Sequence, residues 1–167
     1  MFKYKLILKM DNEIQLMSYE GKTIKIPKEV AINSTYLTEE IKKLDNINTS
    51  ISLKEITYDV LQKVCDFLIH YKDSKIQERQ IEPIPEETGL TNMFDKWDLV
   101  FIEKLEFETI FDLINASEMM GITRLHDLTC AKIAEFMKNK SPDEISKTFT
   151  IECHIPEDEY NKLQADH

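Results

Sequence analysis

Residues 122–151, ITRLHDLTCAKIAEFMKNKSPDEISKTFTI, decide how this chain is read. In their first half Leu125, Cys130, Ile133, Phe136 and Met137 form one broad helical stripe, while Leu128, Ala131 and Ala134 carry apolar character around the other side. One packing face does not need that much, so the pattern predicts a helix with a second apolar face held for a partner. The second half opens on Ser141-Pro142-Asp143-Glu144, the signature of a capping box. There the Ser141 hydroxyl accepts the amide three residues on, Glu144 reaches back to the Ser141 amide, and proline fills a first helical position where its missing N–H costs nothing. Ile145 and Phe149 follow at i,i+4 and give the short helix an apolar edge.

Upstream, Phe107, Ile110, Phe111 and Ile114 recur at helical spacing, and Gly121 followed by Ile122 predicts a Schellman-type stop. Leu61, Val64, Phe67, Leu68 and Tyr71 fall on one face of an earlier helix. Between the two, residues 72–95 are polar and carry Pro83, Pro85 and Gly89, which predicts a long loop inside a domain. The first third mixes element types. Ile14–Tyr19 and Thr23–Ile26 predict a hairpin around Glu20-Gly21-Lys22 that stops at Pro27. Asn33-Ser34-Thr35 offers N-caps for a helix carrying Tyr36, Leu37, Ile41 and Leu44, and Ile51–Ile56 reads as a further strand. Phe2–Leu8 alternates like a strand, and Pro156-Glu157-Asp158-Glu159 opens a last short helix. The fold class expected is α/β in the α+β sense, a small sheet packed on helices with a helical C-terminal extension.

A chain of 167 residues suits one domain with a real core. Three glycines cannot build a Gly-rich phosphate loop or a dinucleotide fingerprint. The net charge of −10 repels phosphate backbones and anionic headgroups, which excludes nucleic acid and membrane as partners. No apolar run approaches the ~18 residues of a membrane span or a signal-peptide core. Cys65, Cys130 and Cys153 read as reduced thiols, which points to the cytoplasm and nucleus.

The search for chemistry returns little. His126 and Cys130 stand at i,i+4, but Cys153-His154 lacks the spacing of common zinc motifs, so no metal and no cofactor is expected. Cys65 and His70 are five apart with no third group to orient them, and the carboxylate runs Glu106-Phe107-Glu108 and Glu157-Asp158-Glu159 read as solvated faces. The chain is not expected to be an enzyme.

YEGKTIKIPKEVAINSTYL, TYDVLQKVCDFLIHYKD and above all residues 122–151 resemble the S-phase kinase-associated (Skp) protein family, adaptors of cullin-type (SCF) ubiquitin ligases. The resemblance runs from about Ile14 to Leu163. It implies a BTB/POZ-like cullin-binding core over residues 1–120 and F-box-binding helices over residues 121–167. It also implies an F-box surface of Ile122, Leu125, Leu128, Ile133, Met137, Pro142, Ile145, Phe149 and Ile151, and a cullin surface around Asn115, Glu118, Met119 and Met120. Where relatives carry an Asn-Tyr pair this chain has Glu118-Met119, which adds negative charge and removes an aromatic anchor. Pro142 occupies the position that is hydroxylated and glycosylated in some protist relatives. The sequence stops at His167, short of the aromatic, acidic tail of relatives, which implies either a trimmed chain end or a smaller receptor interface. The partners implied are a cullin and F-box proteins, with a homodimer when no receptor is bound. Two alternatives stand beside this reading: an elongin C-like adaptor, against which the Ser141–Ile151 segment argues, and a structural BTB homodimer or kinetochore-type component outside a ligase.

Overall fold

The computed structural model of the chain describes residues 12–43, 50–72, 89–138 and 140–149. The expected strand at Phe2–Leu8, the terminal helix from Pro156, and Leu44, Ile151, Cys153 and His154 lie outside the described residues. The chain divides into two compact units, Met1–Lys132 and Ile133–His167.

The first unit is α+β, with helices around a three-stranded sheet of order β2-β1-β3. Strands β1 (Glu13–Met17) and β2 (Thr23–Pro27) form the expected antiparallel hairpin, with Leu16 opposite Ile24. Ile14, Leu16 and Ile26 are buried, and Gly21 turns the chain at φ 76°. Glu20 in that turn does more than face solvent. Its carboxylate accepts the Ser18 hydroxyl at 2.8 Å and the Tyr58 amide at 2.9 Å, so the hairpin caps the next long helix from 38 residues away. Strand β3 (Ile51–Ser52) pairs parallel to β1 and is shorter than the sequence suggests, because Leu53 and Ile56 turn inward around the exposed Lys54-Glu55. The Ile56 amide closes that turn on the Leu53 carbonyl at 3.2 Å.

Helix α1 (Thr35–Lys43) starts where the caps predict: Ser34 Oγ accepts the Leu37 amide at 3.1 Å. Helix α2 (Tyr58–His70) buries Val60, Leu61, Val64, Cys65, Phe67 and Leu68. After the segment 73–88, outside the described residues, a 3-10 turn at Gly89–Asn92 buries Leu90 and leads into α3 (Lys96–Glu103). Helix α4 (Phe107–Met120) packs against α1 and α2 and buries Ile110, Leu113, Ala116, Ser117 and Met120. That face differs from the stripe of Phe107, Ile110, Phe111 and Ile114, since Phe111 is 39% exposed. Two apolar stripes share this helix, and only tertiary packing decides which one goes inside.

Gly121 ends α4 at φ 61°, with its amide on the Glu118 carbonyl at 3.0 Å and the Ile122 amide on Ser117 at 2.8 Å, the paired bonds of a Schellman stop. Helix α5 (Thr123–Met137) follows and runs across the division between the units, and α6 (Pro142–Phe149) lies in the second.

A Cβ at Gly121 would run into Thr35 Oγ1, whereas one at Gly21 would meet nothing within 4 Å. Both substitutions to alanine carry the left-handed cost of about 1–2 kcal/mol, and only Gly121→Ala adds a steric clash. Urea unfolding is expected to show Gly121→Ala clearly the more destabilising, and equal midpoints for the two variants would contradict the close approach.

Candidate protein interface

The expected F-box positions separate by burial. In the first unit Ile122, Leu125 and Leu128 are completely buried, and so is Thr129, whose hydroxyl is satisfied by the Leu125 and His126 carbonyls at 2.9 Å each. In the chain by itself these residues are core. Leu128 therefore shares the inward face of α5 with Leu125; of the apolar residues that gave the helix its width, Leu125, Leu128, Ala131 and Ile133 are buried, Cys130 and Phe136 half-buried, and Ala134 and Met137 exposed. Ile133, the first residue of the second unit, is 8% exposed and is also buried.

The second unit holds the exposed members. Met137 is 37% exposed, Pro142 is exposed, and Ile145 and Phe149 are half-buried. None of the eight residues of α6 is buried. The helix is held locally. Ser141 Oγ accepts the Glu144 amide at 3.3 Å, Glu144 Oε2 accepts the Ser141 amide at 2.8 Å, and Phe149 meets Phe136 edge-on with centroids 5.6 Å apart. Lys140 Nζ lies 5.2 Å from the centre of the Phe136 ring. The Ser141 amide and hydroxyl hold the Glu144 carboxyl below its ordinary value of 4.5.

On α4, Asn115 and Glu118 are exposed and Met119 is half-buried, while Met120 is completely buried. Phe111 and Glu108 extend the exposed side by one and two turns, so the structure adds an aromatic residue that the sequence pattern had placed on the core stripe.

Both described cysteines have raised thiol pKa values. Burial pushes the Cys65 thiol up to about 12, and the ring of His70 stacks on Trp97 at 3.7 Å. Burial also raises Cys130, whose sulfur lies 3.6 Å from His126 Nε2. Among the described residues no group of three or more His, Cys, Asp or Glu side chains is placed to hold a metal ion, and no helix is long and apolar enough to cross a membrane.

A small sheet packed with helices in the first unit and, in the second, a helix that buries none of its residues define a protein-binding module. The comparisons make the assignment specific. Residues 12–73 match the tetramerisation (POZ) domain of the Skp1 family and residues 123–167 match its dimerisation domain. The S-phase kinase-associated protein 1 homolog of Tetrahymena thermophila is 32% identical over 86% of this chain and 84% of its own. SKP1-like protein 12 of Arabidopsis thaliana is 35% identical over 87% of this chain and 89% of its own. The E3 ubiquitin ligase complex SCF subunit sconC of Arthroderma otae is 28% identical over 93% and 92%. The chain belongs to the Skp1 family.

Replacing Ser141 by Ala removes a capping hydroxyl and is expected to cost about 0.5–2 kcal/mol of helix stability, read as faster amide exchange over residues 142–149. The same box sets an acid limit. A carboxyl depressed in the folded state stabilises fully above the unfolded value, and that stability is lost as pH falls through the lower folded one. Exchange across α6 is therefore expected to rise on acidification below pH 4.5, and a Glu144→Gln variant should not show this step.

Proposed function

We propose that the chain is a non-catalytic adaptor subunit of an SCF-type ubiquitin ligase, bridging a cullin scaffold to F-box substrate receptors for ubiquitination and degradation of their cargo. One observation carries the reading. Helix α6 is capped by its own box yet buries none of its residues, and Ile145 and Phe149 give it a half-exposed apolar edge. A soluble module keeps such an edge for a partner. The receptor face in this proposal centres on Met137, Pro142, Ile145 and Phe149, with Ile151 continuing it along the chain. Ile122, Leu125, Leu128 and Ile133 are buried in the chain by itself.

The scaffold face is the exposed side of α4, carried by Phe111, Asn115, Glu118 and Met119, with Met120 anchoring the helix from inside. Glu118 favours a scaffold with a basic residue opposite. The free thiols Cys65 and Cys130 suit a reducing compartment, and the proposal places the adaptor in cytoplasm and nucleus. Without a receptor the α6 edge pairs two copies of the chain weakly, and sedimentation of the free protein is expected to show a dimer that an F-box peptide dissolves.

Phe149→Asp puts a carboxylate on the receptor face and is expected to weaken F-box binding more than about tenfold, a loss above ~1.4 kcal/mol, with cullin binding unchanged. Met119→Lys is expected to act only on the cullin side. Pull-downs with each partner, and circular dichroism to show that both variants fold, decide the matter. A Met119→Lys protein that is folded but blind to F-box peptides would contradict the two faces.

A further inference from the structure

The first unit contains a closed circuit of polar contacts that neither binding face uses. The carbonyl of Met120, the last residue of α4, accepts Ser34 Oγ at 2.6 Å. Beside it Asn33 Nδ2 donates to the Tyr71 carbonyl at 3.0 Å, and the Tyr71 hydroxyl donates to Asp98 Oδ1 at 2.7 Å. Asp98 Oδ2 then accepts Arg124 Nη2 at 2.5 Å and Nε at 3.2 Å. Arg124 is the second residue of α5, and three residues of main chain lead from it back to Met120. The circuit therefore passes through the ends of α1, α2, α3, α4 and α5 and returns to the turn between the last two.

Its members are interior. Asp98 is fully buried, the Arg124 side chain is 13% exposed, and the guanidinium lies 4.9 Å from the centre of the Tyr71 ring. Arg124 also reaches Asp95 at 2.6 Å, so one cation serves two carboxylates at the start of α3. Burial works against the Arg124 charge, yet Asp98 and Tyr71 hold it protonated, and burial followed by Asp98 pushes the Tyr71 phenol up.

Stability does not account for such a set. Removing an aspartate and an arginine from water costs roughly what their attraction returns, and apolar side chains of the same volume fold as well or better. Polar contacts of this kind supply direction, because each bond fixes an angle as well as a distance. We propose that the ring is the positioning device of the adaptor, with Arg124 as its positioning residue, and that it locks the joint at which α4 passes into the base of α5. The inference rests on the adaptor reading, in which α4 faces the scaffold and the chain beyond α5 faces the receptor. An adaptor acts by holding its partners in a fixed relation, so a compliant joint leaves each contact intact and impairs transfer.

The test is the full chain carrying Asp98→Asn with Arg124→Met. The carboxamide introduced by the first substitution can still meet Tyr71 and the Asp95 amide, no charge is left unpaired in the interior, and the ring opens at the 98–124 link alone. In the free protein, amide exchange at residues 121–126 is expected to rise about tenfold or more while Val64 and Leu68 of α2 stay as they were. In a ligase reconstituted with a cullin and an F-box receptor, ubiquitin transfer to bound substrate is expected to fall about fivefold or more, with both binary affinities held within about twofold. A merely structural role would instead lower the melting temperature and both affinities together, and that result overturns the proposal. So does wild-type exchange at 121–126. Tyr71→Phe opens the ring at its 71–98 link while keeping the aromatic contacts of that side chain, and should give the same pattern, which keeps the test decisive if the double variant does not fold. If the wild-type chain binds neither partner, the adaptor reading fails, and exchange at the joint still decides whether the ring locks it.

Discussion

The α4–α5 turn constrains everything around it. Gly121 adopts a left-handed conformation that ends α4 and lets the start of α1 come within contact, and the Thr35 amide reaches the Gly121 carbonyl at 3.4 Å. Ser34 uses one hydroxyl twice, accepting from Leu37 to cap α1 and donating to Met120 to cap α4. The N-terminus of one helix thus meets the C-terminus of another, opposite ends of two helix dipoles. A side chain at position 121 or an apolar residue at 34 would separate them. The exposed side chains Asn115 and Glu118 of α4 lie within six residues of this turn, and α5 starts two residues after it.

Burial sorts the apolar residues of the C-terminal helices into support and contact. Ile122, Leu125 and Leu128 are inside, so the base of α5 is fixed by the core of the first unit. Helix α6 is the reverse case, capped by its own box and with nothing buried. A short helix of this sort is marginal by itself, and a ligand that covers its apolar edge stabilises it by mass action. Receptor binding and helix order are therefore expected to be coupled in this unit.

Features set by neighbouring residues were legible in the sequence. The Ser141 box, the Gly121 stop, the hairpin at Gly21 and the Ser34 cap each depend on contacts within a few positions, and each stands where the residues placed it. Features set by distant residues were not. Glu20 caps a helix 38 residues on, and Asp98 finds Arg124 across 26. Nothing local tells a buried aspartate from a solvated one, although the chain has only two arginines and one of them, Arg124, lies between the apolar Ile122 and Leu125, a signal in retrospect. The side of α4 taken by Phe111 was undetermined for the same reason, since one helical period fits both stripes. The width of the α5 stripe did not show which of its apolar residues are buried, because a core face and an exposed face carry the same apolar content.

The account turns on two faces that engage different partners at once. Sedimentation velocity of the chain mixed with the cullin segment and an F-box peptide in excess tests this most directly. Independent faces predict one species containing one copy of each, with the cullin segment bound as tightly as in the absence of the peptide. Displacement of one partner by the other would mean a single shared face and would contradict the account.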